Sequence, residues 1–309
     1  AAQYSLGMCY IKGIGTEENA EKAVELFSSA AELGYLPAVC ELGLCYELGH
    51  GVEMDKGRAA ELYREAAEQD FAPAQCNLGF FYYRGIGVEE DDNEAAMWFA
   101  KAAQQGYPRA QVLMGECFEN GYGVEQDLEK AVKLYAAASE KGYAPSTCAL
   151  GLCYELGRGV PEDKGRAVEL YRQAADAGDV RAQCNLGYCC YQGIGTEMDD
   201  DEAARWFSEA ADSGYPRAQY LLGQCYELGC GVEKDEDRAA ALYQSAHEGG
   251  HIPATCSLGL CYELGRGVPE DKGRAVELYR QAAEAGDVRA QCNLGYCYYH
   301  GIGVEEDDA

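Results

Sequence analysis

Apolar residues recur along the whole chain in alternating stripes, each with the spacing of one face of an α-helix. Two sets in positions 37–70 show it: Ala38, Leu42 and Tyr46, and then Ala59, Tyr63 and Ala66. Side chains at this spacing share a helix face that can contact a partner helix. Each set therefore predicts an amphipathic helix, and the two together predict a helix hairpin.

Residues between and around the stripes predict where the helices begin and end. Pro37 suits a first helical turn, where the missing N–H costs nothing. Gly49 and Gly51 end the first helix, since glycine accepts the left-handed conformation of a C-terminal cap. Asp55 is placed to cap the second helix. In most units a glycine such as Gly34 closes the second helix, although Asp70 holds that position here.

The hairpin is one unit of a repeat that fills the chain. A glycine that follows Leu, or once Met, returns every 36 residues, at Gly7, Gly43, Gly79, Gly115, Gly151, Gly187, Gly223, Gly259 and Gly295. We call these the anchor glycines. Two more glycines follow each anchor after six and eight residues, and an acid or amide follows after twelve, from Asn19 to Asp307.

One such hairpin cannot bury its own apolar face, so neighbouring hairpins must stack on it. We therefore expect an all-α solenoid of 36-residue helix-turn-helix repeats with a continuous core. No linker or shift in composition divides it, which predicts one elongated domain over residues 1–309. It contains eight full repeats and the first helix of a ninth.

The run LGLCYELGHGVEMDKGRAAELYREAA from Leu42 resembles the Sel1-like repeat, a relative of the tetratricopeptide repeat. The resemblance covers the whole chain. Its departures are small: Met114 replaces Leu, Cys190 replaces a first-helix Tyr, and Phe27, Phe99 and Phe207 replace the second-helix Tyr. The resemblance implies a right-handed α/α superhelix whose concave face holds other proteins, usually as an adaptor without catalysis. Function must still be argued from a site.

A longer period of 108 residues is also present, because residues 151–174 recur unchanged at 259–282. Three repeats were duplicated together, so a partner surface should recur in triplicate. The chain shows no polar capping unit at either end, which leads us to expect a fragment of a longer protein. A signal peptide could then lie outside the sequence.

The composition further limits the classes of partner that the chain can bind. The chain has 53 acidic and 25 basic side chains, a formal net charge of −28, and an apolar fraction of 48%. A surface this negative repels phosphate backbones and anionic lipids, so nucleic acid is excluded as the expected partner. No stretch approaches the roughly 18 apolar residues of a membrane span.

Fourteen of the sixteen cysteines fall in two positions, three residues before and two residues after an anchor glycine. Five residues apart on one helix, these positions are too distant for a disulfide, as are equivalent positions in stacked repeats. Most cysteines are therefore interpreted as small buried apolar residues, with reactive thiols or soft-metal binding as the alternative. Unpaired thiols favour a cytoplasmic location over a periplasmic or secreted one.

Patterns typical of catalysis or cofactor binding have weak support. His247–His251 read H-E-x-x-H, but two glycines interrupt the turn, and the register places them at an exposed, frayed helix end. The G-I-G loops lack the strand and the remaining residues of a phosphate-binding loop. The acidic runs 89–92, 199–202 and 305–308 lack the ligand spacing of a calcium loop and suit helix N-termini. We expect no cofactor, no metal and no catalytic residues.

Residues three before, one after and four after each anchor are expected to line the concave groove, if the geometry is like that of the tetratricopeptide repeat. We call this surface the predicted groove. Its candidate partner-binding residues are Phe80, Tyr83, Tyr188, Tyr191, Tyr296 and Tyr299 in the aromatic units, and Glu47, Glu155 and Glu263, which accompany Leu44, Leu152 and Leu260. Aromatic rings and carboxylates suit a peptide with basic and apolar anchors. An interpretation with equal support is that the tyrosines bind no ligand and serve only to pack between neighbouring first helices.

These observations predict a monomeric, non-enzymatic scaffold that binds a protein or peptide. One alternative is binding of glycans or cell-wall fragments by the same tyrosines. Another is β-lactamase-like hydrolysis, an activity attributed to some Cys-rich relatives, although the sequence has no S-x-x-K motif.

Overall fold

The computed structural model describes residues 1–303, and this range contains seventeen α-helices and no strands. The helices are α1 Ala2–Lys12, α2 Ala20–Glu32, α3 Leu36–Leu48, α4 Lys56–Ala67, α5 Ala72–Arg84, α6 Asp92–Gln104, α7 Pro108–Asn120, α8 Leu128–Ser139, α9 Ala144–Leu156, α10 Lys164–Asp176, α11 Val180–Gln192, α12 Asp200–Asp212, α13 Pro216–Leu228, α14 Glu236–Glu248, α15 Ile252–Leu264, α16 Lys272–Glu284 and α17 Val288–His300. Asp307 and the acidic run 305–308 lie outside the described residues. The predicted all-α solenoid of 36-residue helix-turn-helix repeats is confirmed.

The first helix of a repeat ends where the sequence predicts. Pro37 lies in the first turn of α3, and Gly49 caps its C-terminus with φ 70°. The Gly49 N–H donates to the Cys45 carbonyl. The left-handed glycine thus satisfies one of the free carbonyls at the helix end.

The second helix of a repeat begins at the predicted acid or amide. Asp55 Oδ1 accepts from the Arg58 backbone N–H at 2.9 Å, and Asn19 caps α2 in the same way. The same bond recurs at Asp91, Asp127, Asp163, Asp199, Asp235 and Asp271. Each such cap contributes about 1 kcal/mol to helix stability.

Asp70 takes the conformation that glycine adopts at the end of other second helices. Its φ is 58°, the only left-handed non-glycine residue in the described range. Asp70 Oδ1 accepts from Gln75 Nε2 at 3.3 Å. A short polar side chain that bonds locally tolerates this conformation better than other residues do.

The anchor glycines let the two helices of a repeat approach closely. A Cβ atom on Gly43 would lie 2.8 Å from Cε1 of Tyr63, and one on Gly79 would lie 2.7 Å from Cδ1 of Phe99. Both rings are almost fully buried. A side chain at the anchor would overlap the second-helix aromatic, so this close approach of the two helices requires glycine.

The last glycine of each loop serves the stacking of repeats. Gly51 has φ 75°, and a Cβ there would collide with the backbone carbonyl of Ala20, in the first turn of the preceding repeat's second helix. Gly87, Gly123, Gly195 and Gly231 make the same approach to the preceding repeat. The G-x-G loop therefore combines a helix cap with a contact to the preceding repeat.

The helices form two compact units, Ala1–Pro161 and Glu162–Ala309, which are described separately. In the first, a core that includes Phe27, Tyr63 and Phe81 runs through consecutive repeats. In the second, Tyr243 and Tyr279 belong to buried clusters of the same kind. The single elongated domain over residues 1–309 stays a prediction.

Candidate functional site

All nine candidate partner-binding residues lie on first helices of repeats. In the first unit they are Glu47 on α3, Phe80 and Tyr83 on α5, and Glu155 on α9. In the second unit they are Tyr188 and Tyr191 on α11, Glu263 on α15, and Tyr296 and Tyr299 on α17. Their surroundings differ, and four kinds of environment can be separated.

The first kind is a glutamate that binds the buried tyrosine of its own repeat. Glu47 accepts a hydrogen bond from the Tyr63 hydroxyl at 2.7 Å, and Glu263 accepts one from Tyr279 at 2.6 Å. The pKa of both tyrosines lies far above the ordinary value. Burial is the larger cause, and the neighbouring carboxylate is the second. Each hydroxyl remains protonated and donates to its carboxylate.

Two further repeats contain this pair. Tyr135 donates to Glu119 at 2.9 Å, and Tyr243 donates to Glu227 at 2.6 Å. A buried hydroxyl without a partner would cost about 1–3 kcal/mol. These glutamates therefore have a structural role that the sequence analysis did not assign to Glu47 and Glu263.

The sequence contains a signal for this pairing that the single-helix patterns do not show. Where the second helix has tyrosine, the residue sixteen positions earlier is glutamate, and where it has phenylalanine, that residue is not acidic. The phenylalanine repeats pair Ile11 with Phe27, Tyr83 with Phe99, and Tyr191 with Phe207. A ring without a hydroxyl needs no acceptor, so the earlier position is released for other contacts.

The second kind of environment is found at Tyr83 and Tyr191, which each contact the loop of the next repeat. The Tyr83 ring centre is 5.7 Å from that of Tyr122, and Tyr191 is hydrogen-bonded to Cys230. Both tyrosines are half-buried. They pack between neighbouring repeats and also keep an exposed edge.

The third kind is an aromatic ring covered by an arginine of the same chain. The Arg109 guanidinium lies 5.7 Å from the Phe80 ring centre, and its Nη1 donates to Asn77 Oδ1 at 3.1 Å. An equivalent arrangement 108 residues later joins Arg217 to Tyr188 at 5.6 Å and to Asn185 at 3.1 Å. The cation that the sequence analysis expected from a partner is here supplied by the protein.

The remaining tyrosines of the set are the most exposed. Tyr296 and Tyr299 have 55% and 84% of their surface exposed. Both rings lie near His300, at 4.3 and 4.8 Å between ring centres. Both tyrosines lie on α17, the last helix of the described residues, so no described repeat follows to pack on them as on Tyr83 and Tyr191.

Exposed leucines accompany these residues on the same helices. Leu44 and Leu48 of α3 are 38% and 63% exposed, and Leu152 and Leu156 of α9 are 37% and 47% exposed. Leu264 of α15 is exposed as well. Residues four apart share a helix face, so each pair forms a small apolar surface.

None of the sixteen cysteines forms a disulfide, and thirteen of them are buried. Burial raises the pKa of Cys76 and Cys117 to about 12. Their thiols stay protonated at neutral pH and behave as small apolar groups, as predicted. Cys9 and Cys230 are partly exposed, and Cys292 is exposed.

The two histidines of the H-E-x-x-H sequence do not share a helix. His247 lies in the last turn of α14, whereas His251 precedes α15 as its N-cap residue. The expectation that both are exposed is wrong, because His247 Nδ1 is 2.8 Å from Thr255 Oγ1 and His251 stacks on Tyr220 at 4.8 Å. These contacts give both rings a place in the packing of consecutive repeats.

Within residues 1–303, no group of three or more His, Cys, Asp or Glu side chains is arranged to hold a metal ion. Over the same residues, no helix has the length and apolar character needed to cross a membrane.

The fold and this surface define a class of protein, the helical-repeat solenoids. A Sel1 repeat profile matches the chain nine times, at residues 1–35, 36–71, 72–107, 108–143, 144–179, 180–215, 216–251, 252–287 and 288–309. The chain belongs to the Sel1 repeat family.

Two solved structures are similar over nearly the whole chain. One is a protective antigen present in uropathogenic Escherichia coli strains that displays an SLR fold, with 36% identity and a TM-score of 0.70. That match covers 97% of this chain and 64% of the antigen, so the chain spans about two thirds of its length.

The other is a Sel1 repeat protein from Oxalobacter formigenes, with 32% identity and a TM-score of 0.69. The match covers 96% of this chain and 86% of that protein. A search of curated proteins found no significant match.

Proposed function

We propose that the chain is a non-enzymatic scaffold that binds a protein or peptide on the exposed face of its first helices. Sel1-repeat proteins generally act as scaffolds for protein interactions, which supports this class of function. The observation that carries the proposal is the recurrence of exposed leucines at Leu44, Leu48, Leu152, Leu156 and Leu264. A single exposed leucine is ordinary, but apolar pairs on equivalent helix faces are typical of a contact surface.

The scaffold in this proposal is a monomer. Its partner carries apolar anchors and basic side chains. Tyr296 and Tyr299, together with the exposed edges of Tyr83 and Tyr191, supply aromatic contacts beside the leucines. Glu47 and Glu263 keep one carboxylate oxygen that the buried tyrosine does not use. That oxygen can accept from a Lys or Arg of the partner.

A pull-down from the native host tests the proposal. The variant carries Leu48→Ser, Leu156→Ser and Leu264→Ser, and the expected result is loss of the captured partner with unchanged helicity. A matched control carries Leu33→Ser, Met54→Ser and Met198→Ser, which removes exposed apolar side chains elsewhere. Capture that survives in the first variant, or fails equally in the control, would contradict the proposal.

A second triple variant tests the tyrosines. Tyr83→Ala, Tyr191→Ala and Tyr299→Ala together should abolish capture, while circular dichroism at 222 nm stays unchanged. Unimpaired capture would show that these rings serve packing alone. Binding to a glycan array with no protein captured would instead favour the glycan alternative.

We also propose a cytoplasmic location, because free, buried thiols such as Cys76 and Cys117 are the state that a reducing compartment maintains. Fractionation of the native host checks it, and recovery from the periplasm or the medium would overturn it.

A further inference from the structure

Two arginines of the second compact unit are placed around Tyr220. Arg217 lies three residues before Tyr220 on α13, so the two residues are neighbours on one helix face, and Arg289 contacts the Tyr220 hydroxyl. The ring centres of Tyr220 and His251 are 4.8 Å apart, and Arg289 Nη1 is 3.3 Å from Tyr220 Oη. Burial, followed by the positive charges of Arg217 and Arg289, lowers the pKa of His251. The two positive charges thus disfavour a third one on the His251 ring.

Arg217 is held in place without a carboxylate. It lies over the Tyr188 ring at 5.6 Å, and one N–H donates to Asn185 Oδ1 at 3.1 Å. In the described part of the chain Arg217 forms no ion pair, and its side chain is exposed. A guanidinium has five N–H donors, so most of those on Arg217 are available to a ligand.

Arg289 is fixed by three contacts. It donates to Tyr220 Oη and to the Pro253 carbonyl, both at 3.3 Å, and faces Asp287 Oδ2 at 3.5 Å. The Asp287 side chain is only 8% exposed, and its Oδ1 already caps α17 through the Ala290 N–H. Asp287 partly neutralises Arg289 but does not reach Arg217 as an ion pair.

The Tyr220 hydroxyl is arranged to donate. Its oxygen accepts from Arg289 and, at 2.9 Å, from Gln224 Nε2. A hydroxyl oxygen has two acceptor positions, and both are used here. The O–H of Tyr220 is therefore left to donate to a further group.

These donors match the chemistry of a carboxylate, whose two oxygens accept planar hydrogen bonds from arginine. Phosphate carries more charge and is repelled more strongly by a chain of net charge −28. We propose that Arg217, Arg289 and Tyr220 form a binding site for one carboxylate group of a peptide ligand. The site rests on the proposed function only in assuming that the ligand is a peptide.

The experiment titrates the full chain with small probes and needs no natural partner. Arginine Nε–H resonances are followed by NMR at constant ionic strength with acetyl-Leu-Leu, its C-terminal amide, acetyl-Leu-Glu-Leu-amide and inorganic phosphate. We expect saturable shifts of Arg217 and Arg289 with a carboxylate probe. The first and third probes separate a C-terminal carboxylate from a side-chain one, and the uncharged dipeptide amide should give none.

Variants connect the shifts to the proposed donors. Arg217→Gln should weaken binding about tenfold or more, because it removes a charge-assisted hydrogen bond. Tyr220→Phe keeps the ring stacked on His251 and should weaken binding severalfold. Arg109→Gln is the matched control, because Arg109 lies over Phe80 in the same way but has Val112 and Glu116 where Arg217 has Tyr220 and Gln224.

Three results would overturn the carboxylate site: no carboxylate probe binding more tightly than the uncharged amide, equal affinity in Arg217→Gln and the unmodified chain, or saturation by phosphate alone. A failed partner pull-down would instead concern the proposed function, because the titration does not use that partner.

Discussion

Neighbouring repeats place an aromatic ring under the anchor glycine in two different ways. In the second repeat the ring is Tyr63, whose hydroxyl is bound by Glu47, whereas in the third it is Phe99, and Tyr83 takes the place of the glutamate. The ring is buried in both. The packing under the anchor glycine therefore requires the aromatic ring in both repeats. The presence or absence of the hydroxyl determines whether the first-helix residue binds that hydroxyl or contacts other groups.

The largest effect is expected from removing the ring itself. Tyr63→Ala and Phe99→Ala should each lower the free energy of unfolding by about 3–5 kcal/mol, because each leaves a large cavity in a close-packed interface. Urea denaturation measures both. Similar losses would support the ring as the shared element, and a small loss in only one repeat would break the comparison.

Removing the acceptor should have the next largest effect. Glu47→Ile leaves the buried Tyr63 hydroxyl without a partner and should cost about 1–3 kcal/mol in urea denaturation. Adding Tyr63→Phe reproduces the Ile11 and Phe27 combination of the first repeat, and should recover most of the loss. If the double variant is as unstable as Glu47→Ile alone, the carboxylate acts through something other than the hydroxyl.

The converse exchange tests the phenylalanine repeat. Phe99→Tyr introduces a buried hydroxyl opposite Tyr83 and should cost about 1–2 kcal/mol, and adding Tyr83→Glu should restore stability by supplying the acceptor. A double-mutant cycle on thermal unfolding measures the coupling. If the loss of stability in the double variant equals the sum of the losses in the two single variants, the two residues are not energetically coupled.

The smallest effect concerns the hydroxyl alone, and it depends on pH. Tyr63→Phe should cost about 0.5–1.5 kcal/mol at pH 7. Since burial and Glu47 raise the pKa of folded Tyr63, only the unfolded state releases this proton above about pH 10, and that release lowers the stability of the unmodified chain as pH rises.

The difference between the two proteins should therefore shrink between pH 10 and pH 11.5 in urea denaturation. Buried thiols such as Cys76, whose pKa burial raises to about 12, lower stability above about pH 9 in both proteins and so cancel in the comparison. A difference that stays constant with pH would contradict a protonated, buried Tyr63.

Local signals made the fold predictable. The cap at Asp55 and the helix end at Gly49 follow from rules that act within a few residues, and both were placed correctly. The Glu47–Tyr63 bond was missed because it joins two helices across sixteen residues, and its position depends on how the helices pack. The repeats nevertheless show this pairing in the sequence, because the repeat that has Phe99 in place of the tyrosine also lacks the glutamate sixteen positions earlier.

The candidate site was less predictable for the same reason. The helix register correctly placed Phe80 and Tyr188 on first helices, but the arginines that cover them come from the next repeat, at Arg109 and Arg217. Register alone does not show which side chains of neighbouring repeats meet. His251, at the start of α15, likewise acquires its stacking partner, Tyr220, from another helix, α13.

The contact of each loop glycine with the preceding repeat also bears on how such a chain grows during evolution. At Gly51 and Gly87 the surface approached is a main-chain carbonyl, which every residue type possesses. A newly copied repeat can therefore join an existing one without matched side-chain changes at that contact. The unchanged recurrence of residues 151–174 at 259–282 is what such modular growth leaves in a genome. Copy number can thus vary between descendants while each inherited module keeps its own binding chemistry.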